Sequence, residues 1–224
     1  INDALYNFTE ANPDFHLDLI GFDACLMATY EAAAHMQYYA DFMVASEELE
    51  PSLGWNYAWL NALGENPALD AQGIGVAIAD AYMEACLDEN PDDYLSMSVL
   101  YLPAMDYLVS TMETYASYLS QALDAGQLST FSRARQRMYA FGDFDSATSD
   151  MVDMMALIDG TRTIAPQTAD VLQTAYERVV RYNVGTRKFD YLTGMSVYFP
   201  SGSYEGDGCQ ETIPRMTEFT RGYA

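Results

Sequence analysis

Cys25 is the residue of this sequence whose type and position most clearly allow covalent chemistry. It lies within IGFDACLMATYE (20–31), where an apolar run typical of a strand (17–22) gives way to a helical pattern (25–40). At the start of a helix, the dipole and the free backbone N–H groups favour a thiolate, the nucleophilic form of cysteine. A cysteine beside an apolar strand can also be an unreactive packing residue, so the pattern leaves both interpretations open.

A nucleophilic thiol needs a general base within ~3 Å, and the sequence contains two histidines. His16 lies nine residues before Cys25, mostly along a strand at ~3.3 Å per residue, which places it on the order of 20 to 30 Å away. His35 lies ten residues after Cys25, ~15 Å along a helix axis. If Cys25 is catalytic, its histidine must therefore belong to polypeptide outside these 224 residues.

A second set of polar residues, Ser46, Glu47 and Glu48, follows the next strand pattern, DFMVAS at 41–46. A strand, a helix and a strand in close succession predict a βαβ unit with parallel strands and a right-handed crossover. Ligands bind beyond the carboxyl ends of such strands. We therefore expect these residues at the same edge of the sheet as Cys25.

The rest of the chain alternates strands with helices, which predicts an α/β sheet covered by helices on both faces. A third strand is expected at 93–102 and a last one at 193–200, with a helical insertion at about 103–185 between them. The helical patterns cover residues 1–11, 57–63, 69–87, 105–125, 129–140, 150–158 and 166–182. The length is that of one domain.

The charge of the chain is acidic and unevenly distributed. The formal net charge is −23, and all ten basic residues lie between Arg133 and Arg221, whereas residues 1–132 contain 21 acidic residues. Such a field repels nucleic acids and attracts cationic ligands, so no nucleic-acid partner is expected. The uneven acidic charge is explained equally well by an acidic, soluble surface with no special function. No apolar run approaches the ~20 residues of a membrane span.

The sequence contains few groups that suggest a metal site. Cys25, Cys86 and Cys209 are too far apart for a CxxC motif, and two histidines offer zinc few ligands. Cys86 is expected to pack in the core and Cys209 to be more exposed. DENPDD (88–93) lacks the later residues of a calcium loop and predicts a solvated turn. GDFDSATSD (142–150) could hold calcium or cap the next helix. No cofactor is expected to be required.

Four segments of the chain form a recognisable set. An apolar strand leads into Phe-Asp-Ala-Cys-Leu-Met (22–27), and Glu31 follows six residues after the cysteine. SEELEPSLGWNY is a second segment (46–57), and SDMVDMMALI (149–158) and GMSVYFP (194–200) are weaker ones. Together they resemble the clostripain family of cysteine endopeptidases, which belongs with caspases, legumains and gingipains to the caspase-like clan.

The resemblance implies a caspase-like three-layer sandwich with a mostly parallel central sheet. It also implies a Cys-His dyad, with Cys25 as the nucleophile and the histidine upstream in a His-Gly motif. Many members are made as an inactive zymogen and cleaved autocatalytically between His and Cys into two chains that stay associated. Residues 1–224 are then the Cys-bearing portion of a single peptidase domain, its partner is the His-bearing N-terminal light chain, and its location is secreted or on a bacterial cell surface.

The resemblance further implies cleavage of basic peptides or proteins after Arg, less often Lys. Asp23 matches the family position that recognises the basic side chain, and residues two apart in an extended segment share a face, as Asp23 and Cys25 do; alternatively, Asp23 caps the next helix. Glu47 and Glu48 are further pocket candidates, although acidic loop residues are usually solvated. The other hypotheses are a clan relative specific for Asn or Asp, and a non-enzymatic acidic binding module.

Overall fold

Two β-sheets form the framework of the structure, a computed structural model that describes residues 2–142, 150–186 and 191–200. The strands are β1 (Leu17–Gly21), β2 (Ala40–Ala45), β3 (Ser96–Tyr101), β4 (Met151–Asp153), β5 (Val180–Gly185) and β6 (Ser196–Tyr198). Four of them form the central sheet in the order β1-β2-β3-β5, and β4 pairs with β6 in a separate antiparallel ribbon.

Helices cover both faces of the central sheet. They are α1 (Asn2–Ala11), α2 (Tyr30–Met36), α3 (Trp59–Glu65), α4 (Ala71–Glu89), α5 (Met105–Asp124), α6 (Leu128–Arg135), α7 (Met154–Thr161) and α8 (Pro166–Val179), with a 3₁₀ turn at Leu102–Ala104. α4 packs on one face, while α2, α5 and α8 pack on the other. The predicted α/β three-layer sandwich is confirmed.

The two faces carry separate hydrophobic cores because side chains alternate along each strand. On β2, Met43 belongs to the core under α2, α5 and α8, whereas Val44 belongs to the core under α4. Gly75 lets α4 lie close to the sheet, since a Cβ there would be 2.9 Å from the Val99 side chain and 3.1 Å from that of Val44. α4 therefore packs directly against β2 and β3.

The central sheet is mixed. β1 and β2 are parallel, which confirms the predicted βαβ unit, but β3 is antiparallel to both β2 and β5. Three strands therefore share one direction and β3 opposes them. β3 is reversed because α3 and α4 together return the chain to the edge where β2 ends, so that Ala45 pairs with Ser98.

Two predicted helices have different boundaries in the structure. The helix expected from residue 25 begins at Tyr30, because the Thr29 side chain caps it by accepting the Ala32 N–H at 2.9 Å. The helix expected over 166–182 ends at Val179, and the chain continues as β5. β5 contains Val180, Tyr182 and Val184, residue types that favour a strand once β3 is available as a partner.

The strand expected at 193–200 is the short β6, which joins β4 instead of the central sheet. The Ser196 N–H donates to the Ala28 carbonyl at 2.9 Å, and Ser196 forms a parallel bridge with Thr29. The β4–β6 ribbon is thereby attached to the segment between Cys25 and α2. This attachment explains why α2 begins at Tyr30 and not at Cys25.

Several smaller expectations can also be compared with the structure. Cys86 is buried in α4, as predicted. Of the turn expected at 88–93, residues 88–89 are the end of α4, and residues 90–93 form a mostly exposed turn in which the Asn90 side chain accepts the Asp92 N–H at 3.2 Å. Cys209 and residues 143–149 lie outside the described residues. Among the described residues, no helix combines the length and apolar character needed to cross a membrane.

Candidate active site

Cys25 lies in the loop that follows β1, here called the nucleophile loop (residues 22–29). Its backbone is bonded to the acidic segment after β2 (residues 46–50): the Leu26 N–H donates to the Glu48 carbonyl at 3.1 Å. Leu26 has a φ of 60°, a left-handed conformation that is uncommon outside glycine and often found at functional sites. The predicted helix start at Cys25 is therefore wrong.

The Cys25 side chain is exposed, so it is not a core residue. The Glu50 N–H donates to Cys25 Sγ at 3.2 Å, and Sγ lies 3.7 Å from the Glu50 carbonyl oxygen. An N–H donor favours the anionic form of its acceptor. A backbone N–H of the acidic segment thus takes the place of the helix N-terminus that the sequence pattern predicted.

Asp23 is exposed and lies two residues before Cys25. Its Oδ2 accepts the N–H of Trp55 at 3.2 Å, and its carboxylate lies beside Gly54, where a Cβ would be 3.3 Å from both oxygens. The hypothesis that Asp23 caps α2 is wrong, since Thr29 does so. Asp23 instead binds the segment after Pro51 while staying open to solvent.

Glu50 is the functional candidate that sequence reasoning missed. Its carboxyl group is largely buried, and neither oxygen receives a hydrogen bond of normal geometry from the described residues. Burial and the nearby negative charge of Asp23 raise the pKa of Glu50 to about 7, although the Trp55 side chain and the Ala24 N–H partly favour the charged form. Pro51 restricts the backbone of Glu50 to extended conformations, but nothing in the sequence indicates that this side chain turns inward beside Asp23.

Glu48 points into the protein and binds its own chain. Its Oε1 accepts the N–H groups of Gly142 at 2.9 Å and Leu49 at 2.8 Å, and its Oε2 accepts the Tyr139 hydroxyl at 3.0 Å. The side chain is 4% exposed. Its assignment to a substrate pocket is therefore a correction: Glu48 anchors residues 139–142.

Glu47 is also interior, on a second polar cluster. Its Oε2 accepts the Gly194 N–H at 2.9 Å, and Asp153 Oδ2 accepts both the N–H and the hydroxyl of Thr193 at 2.7 Å. Burial and the charge of Asp153 raise the pKa of Glu47 well above its usual value. Because it is fully buried, Glu47 joins the acidic segment to residues 193–194 and does not face a substrate.

Glu31, the acidic residue of the nucleophile motif, has a structural role here. Its Oε1 accepts the Tyr198 N–H at 3.1 Å, which ties the first turn of α2 to β6. Burial raises the pKa of this carboxyl group. Two of the weaker motif segments are therefore brought next to the nucleophile loop by the carboxyl groups of Glu31, Glu47 and Asp153.

Neither histidine of the chain lies at the thiol. His16 precedes β1 and its Nε2 is 3.1 Å from Asp41 Oδ1, whereas Cys25 follows the opposite end of that strand. His35 lies in the last turn of α2, where burial lowers its pKa. The described residues also contain no group of three or more His, Cys, Asp or Glu side chains arranged to hold a metal ion.

Solved structures share this fold. An inactive zymogen C11 protease from Parabacteroides distasonis is 17% identical with a TM-score of 0.64, over 97% of this chain and 60% of its own. A secreted C11 cysteine protease from Bacteroides thetaiotaomicron, in complex with an irreversible peptide inhibitor, is 18% identical with a TM-score of 0.64, over 94% of this chain and 60% of its own. A clostripain from the same species, in complex with the peptide inhibitor BTN-VLTK-AOMK, is 13% identical with a TM-score of 0.61, over 94% of this chain and 88% of its own.

These identities support a common fold, and the chain spans 60% of the length of the first two proteins. No curated protein matches the sequence. The model of the Clostripain family matches residues 1–205, which is most of the chain. Together with the α/β sandwich and the exposed Cys25, this match shows that the chain belongs to the clostripain family of cysteine proteases.

Proposed function

We propose that this chain is the Cys-bearing part of an endopeptidase that cleaves after Arg, less often Lys, with Cys25 as the nucleophile. One observation carries the proposal: an exposed thiol with an N–H donor on its sulfur lies at the same sheet edge as the carboxyl groups of Asp23 and Glu50. A thiol supplies the attacking group, and carboxylates favour a cationic side chain beside the scissile bond. Membership of a cysteine protease family supports this chemistry.

In the proposed reaction, a base takes the Cys25 proton and the thiolate attacks the scissile carbonyl carbon. The oxyanion forms beside the Cys25 N–H, which has no acceptor among the described residues and is a suitable donor. The protonated base then transfers its proton to the leaving amine, which leaves a thioester acyl-enzyme. Water, deprotonated by the same base, hydrolyses that thioester and restores Cys25.

Substrate selection is assigned to Asp23 and Glu50. Asp23 occupies the position that corresponds to basic side-chain recognition in the resembling family, and its negative charge contributes to the raised pKa of Glu50. The Glu50 oxygens lack partners of normal geometry among the described residues. Both Glu50 oxygens are buried, so Glu50 is proposed to act through its charge on a cationic side chain bound at the exposed Asp23, whereas an aspartyl side chain would add a third negative charge.

The catalytic base is proposed to come from the His-bearing light chain of the same precursor. Within the described residues β1 pairs with β2 alone, so its other edge is open, and Cys25 follows the carboxyl end of β1. A strand added in parallel at that edge would end beside the thiol. The chain spans 60% of two relatives and 88% of a third, which is compatible with a longer precursor.

The remaining properties follow from relatives and stay proposals for this chain. One similar protein is described as an inactive zymogen and another as secreted. We accordingly propose autocatalytic maturation into two associated chains and secretion or display at a bacterial surface. Residues 1–224 are proposed as the Cys-bearing portion of one peptidase domain. The expected helical insertion at 103–185 is wrong, because this range contains β5 of the central sheet and the helices α5 and α8 that cover one face of that sheet. Calcium is proposed as an optional ligand and not as a requirement.

Hydrolysis of matched arginyl, lysyl, asparaginyl and aspartyl reporter peptides tests this function. Purified material, checked by intact mass for a second chain, should cleave the arginyl peptide fastest and the lysyl peptide more slowly. Cys25→Ala should abolish turnover and keep the fold, because it removes the attacking sulfur. Cys86→Ala, which removes the buried thiol, is the matched control and should remain active.

Three results would contradict the proposal. Substantial turnover by Cys25→Ala would exclude Cys25 as the nucleophile. A preference for the asparaginyl or aspartyl peptide would indicate a clan relative of other specificity, and no turnover of any peptide with the second chain present would favour an acidic binding module.

A further inference from the structure

Two buried serine hydroxyls, Ser46 and Ser96, hold the acidic segment in place. Ser96 Oγ accepts the N–H groups of Glu47 and Glu48, each at 3.1 Å, and lies 3.1 Å from Ser46 Oγ. Ser46 Oγ donates to the Glu48 carbonyl at 2.9 Å. Each hydroxyl has one hydrogen to donate, so the donor order runs from Ser96 to Ser46 to the Glu48 carbonyl.

This network determines where the backbone meets the candidate nucleophile. The Glu48 carbonyl also accepts the Leu26 N–H from the nucleophile loop at 3.1 Å. Two residues further on, the Glu50 N–H reaches Cys25 Sγ at 3.2 Å. The position of the Glu50 N–H therefore depends on the backbone of Glu47 and Glu48, which Ser96 binds.

We propose that Ser96 is a positioning residue that holds the Glu50 N–H on Cys25 Sγ and thereby stabilises the thiolate. Hydrogen bonds to a charged acceptor are stronger than those to its neutral form, so this N–H favours thiolate over thiol. Ser96 is fully buried on β3 and cannot touch a substrate. The inference deepens the function proposed above, because it rests on Cys25 as the nucleophile.

Alkylation of Cys25 by iodoacetamide measures thiolate stabilisation without needing a substrate or the catalytic base. In the purified protein, with modification located by peptide mass spectrometry, Ser96→Ala should lower the rate near neutral pH about tenfold, the effect of losing one charge-assisted hydrogen bond. Above about pH 10, where any thiol is ionised, the rate should be unchanged, because the accessibility of Cys25 is the same.

Ser98→Ala is the matched control. Ser98 is also fully buried on β3, but its Oγ donates to Asn183 Oδ1 at 3.2 Å and does not contact the acidic segment. It should leave both alkylation rates at the wild-type values. A Ser96→Ala protein whose two rates equal the wild type, or a Ser98→Ala protein with the same selective loss, would overturn the proposal.

A second variant covers the case in which Ser96→Ala does not fold, which alkylation of the buried Cys86 would reveal. Ser46→Ala removes the other hydroxyl of the network and should cause the same selective loss near neutral pH; wild-type behaviour would overturn the inference. Failure of the proposed function looks different. In that case Cys25 of the wild-type protein already reacts no faster than free cysteine near neutral pH.

Discussion

Glu47, Glu48 and Glu50 have the same side chain and lie within four consecutive positions, yet their surroundings differ completely. Glu48 binds Tyr139 and Gly142, Glu47 binds a more distant loop, and Glu50 lies next to the charge of Asp23. A run of acidic residues has no apolar periodicity that could show which carboxyl group turns inward. Sequence reasoning therefore selected the two structural residues and passed over the one nearest the thiol.

The first prediction concerns the pH dependence of substrate binding. Burial and Asp23 raise the pKa of Glu50 to about 7, so the group gains its negative charge as pH rises through that value. The KM for an arginyl peptide should fall over the same range. Glu50→Gln should raise KM about tenfold and remove this step, whereas Asp23→Asn should move the step to lower pH. Measurement of KM against pH for the three proteins tests this assignment. If the pH-dependent step in KM is unchanged in Glu50→Gln, the step belongs to another group.

A second prediction concerns stability and the buried Glu47. Its folded pKa lies well above the ordinary value of 4.5, so its contribution is complete below the unfolded pKa and is lost as pH rises through the folded one. Glu47→Gln keeps the size without the charge, so its Tm should fall less than that of the wild type towards alkaline pH. Thermal unfolding against pH measures this, and parallel curves for the two proteins would count against it.

Glu48→Gln is the control for that series. The Glu48 carboxylate accepts three hydrogen bonds, from Leu49, Tyr139 and Gly142, so the substitution should lower Tm already at neutral pH. An amide at position 48 presents two donors where acceptors are needed. The two substitutions are chemically identical, so a difference between their Tm curves reflects the different surroundings of the two carboxyl groups.

At the scale of elements, apolar periodicity located β1, β2 and β3 and the long helix α4, because each buries a continuous stripe or run. The pattern failed at residues 25–29, where helical spacing is overridden by bonds to the acidic segment and to β6. It also missed β5, whose pairing with β3 joins residues far apart in sequence. Cys25 and Asp23 could be found from sequence because their motif is local, while Glu50 depends on the tertiary arrangement.

The packing of α4 gives a prediction at this scale. Gly75→Ala places a Cβ 2.9 Å from Val99 and 3.1 Å from Val44, so it should lower the free energy of unfolding by about 1–3 kcal/mol. Gly64→Ala in α3 meets nothing within 4 Å, so it should raise that free energy by about 0.5–1 kcal/mol through helix propensity. Denaturant unfolding of both proteins measures the difference. Equal effects would mean that α4 lies further from the sheet.

At the scale of the whole molecule, the dominant feature is charge. Residues 1–132 carry 21 acidic and no basic side chains, and the chain as a whole carries −23. This region includes both the nucleophile loop and the acidic segment. Both therefore belong to a region with no basic side chain, which favours the approach of cationic ligands.

The field predicts a salt effect on turnover. Added salt screens charges over ~10 Å at 0.1 M, so kcat/KM for a strongly cationic arginyl peptide should fall several-fold between low and physiological ionic strength. An arginyl peptide with acidic flanking residues is the control and should show little or no fall. The same dependence for both peptides would show that long-range attraction does not contribute.

The bond between Glu47 and Gly194 has a consequence for biosynthesis. Translation proceeds from the N-terminus, so Cys25 leaves the ribosome long before Gly194, which donates to Glu47 of the acidic segment, and Tyr198, which donates to Glu31 of α2. The segments on either side of the thiol therefore gain these bonds only after most of the chain has been made. A nascent chain stalled before Thr193 should accordingly show Cys25 alkylated near neutral pH no faster than free cysteine.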